Sequence, residues 1–183
     1  MSFRTVWSRM ALTAGIVLTL LLLVAPAAIA QDKSLTWERF DVDITVNQDG
    51  TFDVCEHQQI RFDEGTFTFG YRDVPGNNLG ALDVYSVTDA SGHTYTQAGG
   101  DYRYTVESNG GGAVVRWYFP TKSRETETFT LCYVVYEGLR FYPGNNQVWW
   151  KAVYADRAFP VLESRVTVKL PPGATVQEWA AYI

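Results

Sequence analysis

The feature that most restricts the fold of this chain is an alternation of apolar and polar side chains with a period of two. In Phe40–Val46, apolar residues alternate with Asp41, Asp43 and Thr45. A period of two places successive side chains on opposite faces of a strand, so this segment predicts a half-buried β-strand. The same reasoning predicts further strands at Thr51–Phe62, Leu82–Thr88, Thr94–Thr96, Tyr102–Val106, Val114–Phe119, Thr128–Tyr136, Val148–Tyr154 and Leu162–Leu170.

The connections between these segments are typical of hairpins. Asn47-Gln48-Asp49-Gly50 suits a four-residue turn in which the glycine tolerates a positive φ. The turn sets a register that places Val46 opposite Phe52, and therefore keeps the apolar faces together. About eight short strands with turns between them, and no amphipathic helix before Gln177, predict an all-β antiparallel β-sandwich. In the last strand, one face is apolar and carries Leu162, Val166, Val168 and Leu170.

The first thirty residues have the pattern of a secretory signal peptide, which would form a helix before the domain. Arg4 and Arg9 precede an apolar centre at Ile16–Val24, Pro26 ends it, and Ala28-Ile29-Ala30 offers a small-x-small cleavage site. The alternative is an uncleaved N-terminal anchor, because the uncharged run is long enough to cross a bilayer. Either way, we expect the rest of the chain to lie outside the cytoplasm, secreted or anchored at the cytoplasmic membrane.

Residues 31–183 are long enough for one domain. Thr175–Ile183 begins a new element and stops without a turn or a polar tail, so we expect a domain that is truncated at its C-terminal end.

The composition argues against several function classes. The chain has 20 acidic and 15 basic residues, which makes it a poor partner for nucleic acid or anionic lipid headgroups. Its two cysteines and two histidines have no metal-binding spacing, so we expect neither a metal site nor a cofactor.

Two pairs of residues are expected to be structural. Glu56 falls on the inward face of its strand, where a carboxylate must be paired or neutral, and Arg72 is the natural partner. The functional alternative is a polar pair that binds a ligand in a cleft. Cys55 and Cys132 both point outward, and an exported protein meets oxidising conditions, so we expect a disulfide between neighbouring strands. The alternative is two free thiols.

Aromatic residues are the weak candidates for a binding surface. Trp149, Trp150 and Tyr154 lie in one aromatic-rich segment, and exposed rings of this kind could stack on sugar rings. The competing explanation is that aromatic residues are simply favoured in strands.

Signals of catalysis are weak. GxSxG, HExxH and Gly-rich phosphate-loop motifs are missing from the sequence. Two patterns remain possible: a Cys55–His57 pair, and carboxylates that could hydrolyse a glycoside. Those carboxylates are Asp49, Asp53, Asp63, Glu64 and Asp73.

Taken in order, four stretches resemble a known family. They are ERFDVDITVNQDGTFDVCEHQQIRF, GYRDVPG, TFTLCYVVYEGL and VWWKAVYADRAFPVLESRVTVKLPPG. They resemble the N-terminal extracytoplasmic domain of predicted bacterial membrane proteins known as domain of unknown function 2207. The resemblance covers about residues 35–175. It implies an extracytoplasmic β-sandwich, followed in complete members by a transmembrane helix. Cys55 and Cys132 both depart from the family pattern.

These observations favour a non-catalytic interaction or sensing domain of a bacterial membrane protein. The partner would be an envelope protein or a glycan. The alternatives are an enzyme that acts on the cell wall or on polysaccharides, and a purely structural spacer or assembly module.

Overall fold

The structure of this chain is a computed structural model that describes residues 32–76, 79–110, 112–154 and 157–181. The predicted signal peptide at residues 1–30 lies outside the described residues.

The described part of the chain is all-β, as the alternation predicted, and contains no helix. Its ten strands are β1 (Ser34–Val46), β2 (Phe52–Glu64), β3 (Phe67–Val74), β4 (Ala81–Asp89), β5 (Arg103–Asn109), β6 (Gly112–Lys122), β7 (Thr126–Tyr136), β8 (Leu139–Tyr142), β9 (Asn145–Val148) and β10 (Val161–Lys169). They form a five-stranded sheet in the order β10-β1-β2-β7-β4, a three-stranded sheet β3-β6-β5 and a hairpin β8-β9.

The first hairpin has the predicted turn and register. Gly50 has a φ of 85°, which an L side chain rarely adopts, and the Asn47 amide donates to the Thr51 carbonyl. Val46 pairs with Phe52, so the apolar faces of β1 and β2 coincide. The prediction for this hairpin is therefore confirmed.

The second predicted neighbourhood is that of β2 and β7. These strands pair antiparallel with Cys55 directly opposite Cys132, and the two cysteines form a disulfide. Both belong to the outward faces of their strands, because the neighbouring Val54 and Leu131 are buried.

Inward side chains of the three-stranded sheet contact those of the five-stranded sheet. Phe129 of β7 lies against Trp117 and Phe119 of β6, with ring centroids 5.7 and 5.0 Å apart. Gly70 makes room for the Trp117 ring, because a Cβ there would lie 2.5 Å from the indole. These contacts form the apolar core of the domain.

Two predicted strands are not formed, and three strands were not expected. The strand predicted at Thr94–Thr96 is replaced by isolated bridges to Thr88 and Arg103, and the β8-β9 hairpin was not expected. Residues 67–74, which were not expected to form a strand, form β3. The strand predicted at Val148–Tyr154 is not formed, since β9 ends at Val148. Among the described residues, the next strand is β10, which begins at Val161.

The physical reason for the missing strand is a crossover. Residues 149–154 and 157–160, which we call the crossover, lie partly over the inner face of the five-stranded sheet, and Trp150 contacts Phe52 and Tyr133 there. β10 pairs with β1 in parallel. Parallel neighbours need a long connection, and strands β2 to β9 lie between these two in the chain. The fully antiparallel arrangement expected from the sequence is therefore wrong for this pair.

The apolar face of β10 is also less buried than the sequence suggested. Leu162, Val166 and Val168 share one face as predicted, but all three are exposed. The reason is the position of β10 at the edge of the five-stranded sheet.

Candidate functional site

The most strongly organised polar group in the molecule is the Glu56 carboxylate on β2. It is fully buried, at 0% exposure, and accepts hydrogen bonds from three different side chains. Arg72 Nε of β3 lies 2.9 Å from both of its oxygens. Tyr133 Oη of β7 donates at 2.8 Å, and Gln58 Nε2 donates at 3.1 Å. The structure thus brings together Glu56 and Arg72, which the sequence analysis had paired.

This buried network extends to the start of β1. Trp37 Nε1 donates to Gln58 Oε1 at 3.2 Å, so the indole holds the amide that in turn donates to Glu56. Strand alternation explains the assembly, because Glu56 and Gln58 are two residues apart and share the inward face of β2. Sequence reasoning had missed Tyr133 and Trp37, which belong to other strands and become neighbours only through the sheet register.

The ionisation of the network follows from its burial. Burial alone would lower the pKa of Arg72, but the Glu56 carboxylate raises it, and the net direction is upward. Burial raises the pKa of Tyr133 well above its usual value, and the charge of Glu56 adds to this. The tyrosine hydroxyl therefore keeps its proton and remains a donor to the carboxylate.

The crossover segment lies against this network. Arg72 Nη2 donates to the Ala152 carbonyl at 3.3 Å, and the Arg72 guanidinium lies 4.7 Å from the Tyr154 ring. Burial raises the pKa of Tyr154 as well. Tyr154, a predicted binding residue, thus packs on the ion pair.

Arg157 adds a second guanidinium beside the ion pair. It lies 4.9 Å from the Trp37 ring and 4.5 Å from the Phe40 ring. Its pKa is lowered by burial and by repulsion from Arg72. These aromatic contacts place Arg157 over the inner face of β1.

The two predicted tryptophans have different surroundings. Trp149 is exposed, and the guanidinium of Arg140 lies 4.8 Å from its ring. Trp150 is half-buried and packs edge-on against Phe52. Because Trp150 packs against the core and Tyr154 lies on the ion pair, the three predicted binding residues do not form one surface.

An exposed face that the sequence analysis missed lies on the outer side of the three-stranded sheet. We call it the arginine–aromatic face, and it consists of Phe69, Tyr71, Arg103, Arg116 and Tyr118. Register pairs Tyr118 with both Phe69 and Arg103, and it pairs Arg116 with Tyr71. The period-two spacing of these residues would have predicted a shared face, but only if residues 67–74 had been recognised as a strand.

Cation–π contacts order this face. The Arg103 guanidinium lies 3.9 Å from the Tyr118 ring centroid, and that of Arg116 lies 5.2 Å from Phe69. The rings of Phe69 and Tyr118 are 6.2 Å apart. Tyr71 remains 62% exposed. The face therefore combines open aromatic surface with two guanidinium groups, and the exposed carboxylates of Asp73 and Glu107 continue it on either side of Val114.

Most of the residues that suggested catalysis have structural partners, and among them Asp53 accepts from Asn47 and Asp73 from Asn109. Cys55 has no free thiol because it is bonded to Cys132, so the Cys55–His57 nucleophile hypothesis is wrong. Asp49 accepts from Thr51, and Asp63 accepts from Arg61 and Thr36. These hydrogen bonds lower the pKa of both carboxyl groups. In the described part of the chain, no three His, Cys, Asp or Glu side chains are grouped so that they could hold a metal ion.

These observations define a class of protein: an all-β domain with an ion pair in its core and an open arginine–aromatic face. The family described as the N-terminal domain of a predicted membrane protein (DUF2207) matches residues 36–182, and the chain belongs to this family. No curated protein matches the sequence. Within the described ranges, no helix is long and apolar enough to cross a membrane.

The similar solved structures are distant. A two-domain M1 zinc metallopeptidase bound to L-tryptophan has a TM-score of 0.40 at 15% identity, and the match covers 62% of this chain and 23% of that one. The M1 zinc metallopeptidase from Deinococcus radiodurans has a TM-score of 0.39 at 14% identity, with 57% and 21% covered. Yeast LTA4 hydrolase in complex with bestatin has a TM-score of 0.37 at 9% identity, with 60% and 17% covered. This chain thus spans under a quarter of each of these enzymes.

Proposed function

We propose that this chain is a non-catalytic, extracytoplasmic interaction domain of a bacterial membrane protein, and that its two larger sheets form a β-sandwich. The membrane-protein family supports the first part of the proposal. The disulfide is consistent with an oxidising compartment, and residues 1–30 have the pattern of an export signal. Contacts of Phe129 with Trp117 and Phe119 support the sandwich.

The observation that carries the proposal is the contrast between the ion pair and the arginine–aromatic face. Glu56, the best-placed carboxylate, is fully buried and is occupied by Arg72 and Tyr133, which leaves it no room to act on a polymer. The arginine–aromatic face is open and lies on one sheet. Exposed rings beside guanidinium groups suit a partner that offers sugar rings for stacking and oxygen atoms that accept hydrogen bonds. We therefore assign an envelope glycan as the partner.

Tyr71→Ala tests this assignment. The exposed ring makes no hydrogen bond among the described residues, so its removal should leave the melting temperature unchanged. We expect binding to a polysaccharide from bacterial cell walls to weaken about tenfold, the loss typical of an aromatic residue at a binding hot spot. Isothermal titration calorimetry of the exported full-length chain measures this change.

Trp149→Ala is the matched control, because Trp149 is also an exposed aromatic residue with a neighbouring arginine. Binding should be unaffected by this change. If Trp149→Ala weakens binding and Tyr71→Ala does not, the site is on the β8-β9 side of the molecule. If the parent chain binds no wall glycan at all, the structural-spacer alternative is favoured.

A further inference from the structure

The inner face of β10 carries an exposed apolar surface that the arginine–aromatic face does not explain. Leu162, Val166 and Val168 are 62, 48 and 46% exposed. We call these three residues the β10 apolar strip. The strip continues the core face of the sheet, because Val166 pairs with Val42 and Val168 pairs with Ile44 of β1, both of which are buried.

The backbone of β10 is also unpaired along one side. Among the described strands, β10 lies at the end of the five-stranded sheet and has β1 as its only neighbour. The Arg165 amide donates to Asp41 Oδ1 of β1 at 3.0 Å, so the peptide groups of Arg165 are directed towards β1. Those of Val166 are therefore directed to the free edge, because successive residues of a strand alternate in direction. Such an edge can pair with another strand.

We propose that β10 pairs antiparallel with β10 of a second copy of this chain, with Val166 of each copy on the two-fold axis. The charges on the opposite face of β10 favour this register. It places Glu163 of each copy opposite Lys169 of the other, so two oppositely charged pairs form. A register centred on Arg165 would place two arginines opposite each other, and one centred on Thr167 would pair Arg165 with Lys169.

The apolar side chains favour the same arrangement. With Val166 on the axis, the two valines are direct neighbours and each Leu162 faces Leu170 of the other copy. A register centred on Ser164 also pairs opposite charges, Glu163 with Arg165. In that register, however, Val168 is not among the first three residue pairs on either side of the axis. Two serines face each other on the axis itself. The Val166 register therefore joins the two strips into one surface across a continuous ten-stranded sheet.

Cysteine cross-linking tests the proposal on the exported full-length chain. In Val166→Cys, the two Cα atoms should lie about 5.5 Å apart, within the range that a disulfide spans. We expect mild oxidation to convert this variant into a covalent dimer on non-reducing electrophoresis. The parent chain, whose two cysteines are already bonded to each other, should stay monomeric on the gel.

Val168→Cys is the matched control, since it has the same face and nearly the same exposure. In the proposed register the two copies of residue 168 lie about 14 Å apart, four residue positions along the paired strands, so they cannot bond. We expect at least about tenfold less dimer than for Val166→Cys, because the paired strands hold the two sulfur atoms of residue 168 too far apart to bond. Equal cross-linking of both variants would overturn the proposal, and so would preferential cross-linking of Ser164→Cys.

A charge exchange gives a second test without added cysteines. Glu163→Lys should weaken self-association about tenfold in analytical ultracentrifugation, because it replaces two opposite-charge pairs with like-charge pairs. Glu163→Lys combined with Lys169→Glu should restore it. A parent chain that sediments as a monomer at every concentration would overturn the proposal. The glycan test at Tyr71 addresses a different sheet, so the two outcomes are independent.

Discussion

The Glu56 carboxylate is a fully buried charge whose hydrogen-bond partners are all side chains of the protein itself. Its carboxylate accepts bonds from Arg72, Tyr133 and Gln58, so the charge is satisfied inside the protein. Removing a carboxylate from water is strongly unfavourable, and hydrogen bonds to both of its oxygens offset that loss of hydration. The same contacts fix β3, which carries Arg72, onto β2 and β7.

Removing one member of this ion pair should destabilise the protein strongly. We expect Arg72→Met to lower the free energy of unfolding by about 3–5 kcal/mol, because it leaves the Glu56 charge buried without its partner. Glu56→Gln should lower the free energy of unfolding by a similar amount, because it leaves the Arg72 charge buried without its partner. Urea unfolding followed by tryptophan fluorescence measures both.

Arg61→Met is the control. Arg61 forms ion pairs with Asp63 and Glu38 on the surface of the five-stranded sheet, which also carries Glu56. Exposed pairs contribute up to about 1 kcal/mol, so this variant should unfold close to the parent. Similar losses from Arg72→Met and Arg61→Met would show that burial does not set the strength of the Glu56 pair.

At the scale of elements, the sequence predicted strands well where alternation alone determines burial. The β1-β2 hairpin and the β2-β7 neighbourhood both follow from inward apolar residues and outward cysteines. It failed for β3, where Phe67, Phe69 and Tyr71 alternate with Thr68 and Gly70. Phe69 and Tyr71 point outward and Gly70 points inward, which is the reverse of the usual pattern. A register shift separates them from Phe67, which packs against the buried Phe62.

Gly70 is the reason that β3 can face the core at all. The Trp117 ring occupies the space where a side chain at position 70 would lie, since a Cβ at that position would be only 2.5 Å from the indole. Such a pairing of glycine with tryptophan across two strands is a tertiary feature, and no local propensity reveals it. The crossover was missed for the same reason, because the exposed Trp149 and the inward Trp150 alternate as residues of a strand do.

Gly70→Ala should therefore destabilise the three-stranded sheet. Overpacking a core typically costs about 1–3 kcal/mol, and the indole ring has little space to retreat among Phe129 and its neighbours. Gly99→Ala is the control, because nothing lies within 4 Å of a Cβ at that position. Thermal unfolding by circular dichroism should show a lower midpoint for Gly70→Ala alone. Equal thermal midpoints for Gly70→Ala and Gly99→Ala would mean that the Trp117 ring can move aside without loss of stability.

At the scale of the whole molecule, three surfaces have different roles. The core ion pair stabilises the packing of β3 on β2 and β7, the arginine–aromatic face is proposed to bind a glycan, and the β10 apolar strip is proposed to pair two copies. The alternation predicted a β-rich domain, but it could not predict which apolar face stays uncovered. Leu162, Val166 and Val168 have the same pattern as Phe40, Val42 and Ile44, and only their place at the sheet edge exposes them.

Export is the step on which both proposed binding roles depend, and it makes a prediction about the amino terminus. Arg4 and Arg9, the apolar run at Ile16–Val24 and the small residues Ala28 and Ala30 predict cleavage before Gln31. Mass spectrometry of the exported protein should find a chain that begins at or near Gln31. Ala28→Leu with Ala30→Leu should block cleavage, because signal peptidase requires small residues there, and the precursor should stay attached to the membrane through its apolar run. If the parent chain retains Met1 or Ser2 in the mature protein, residues 1–30 are a permanent anchor, and the two copies that pair through β10 would both be held at the membrane.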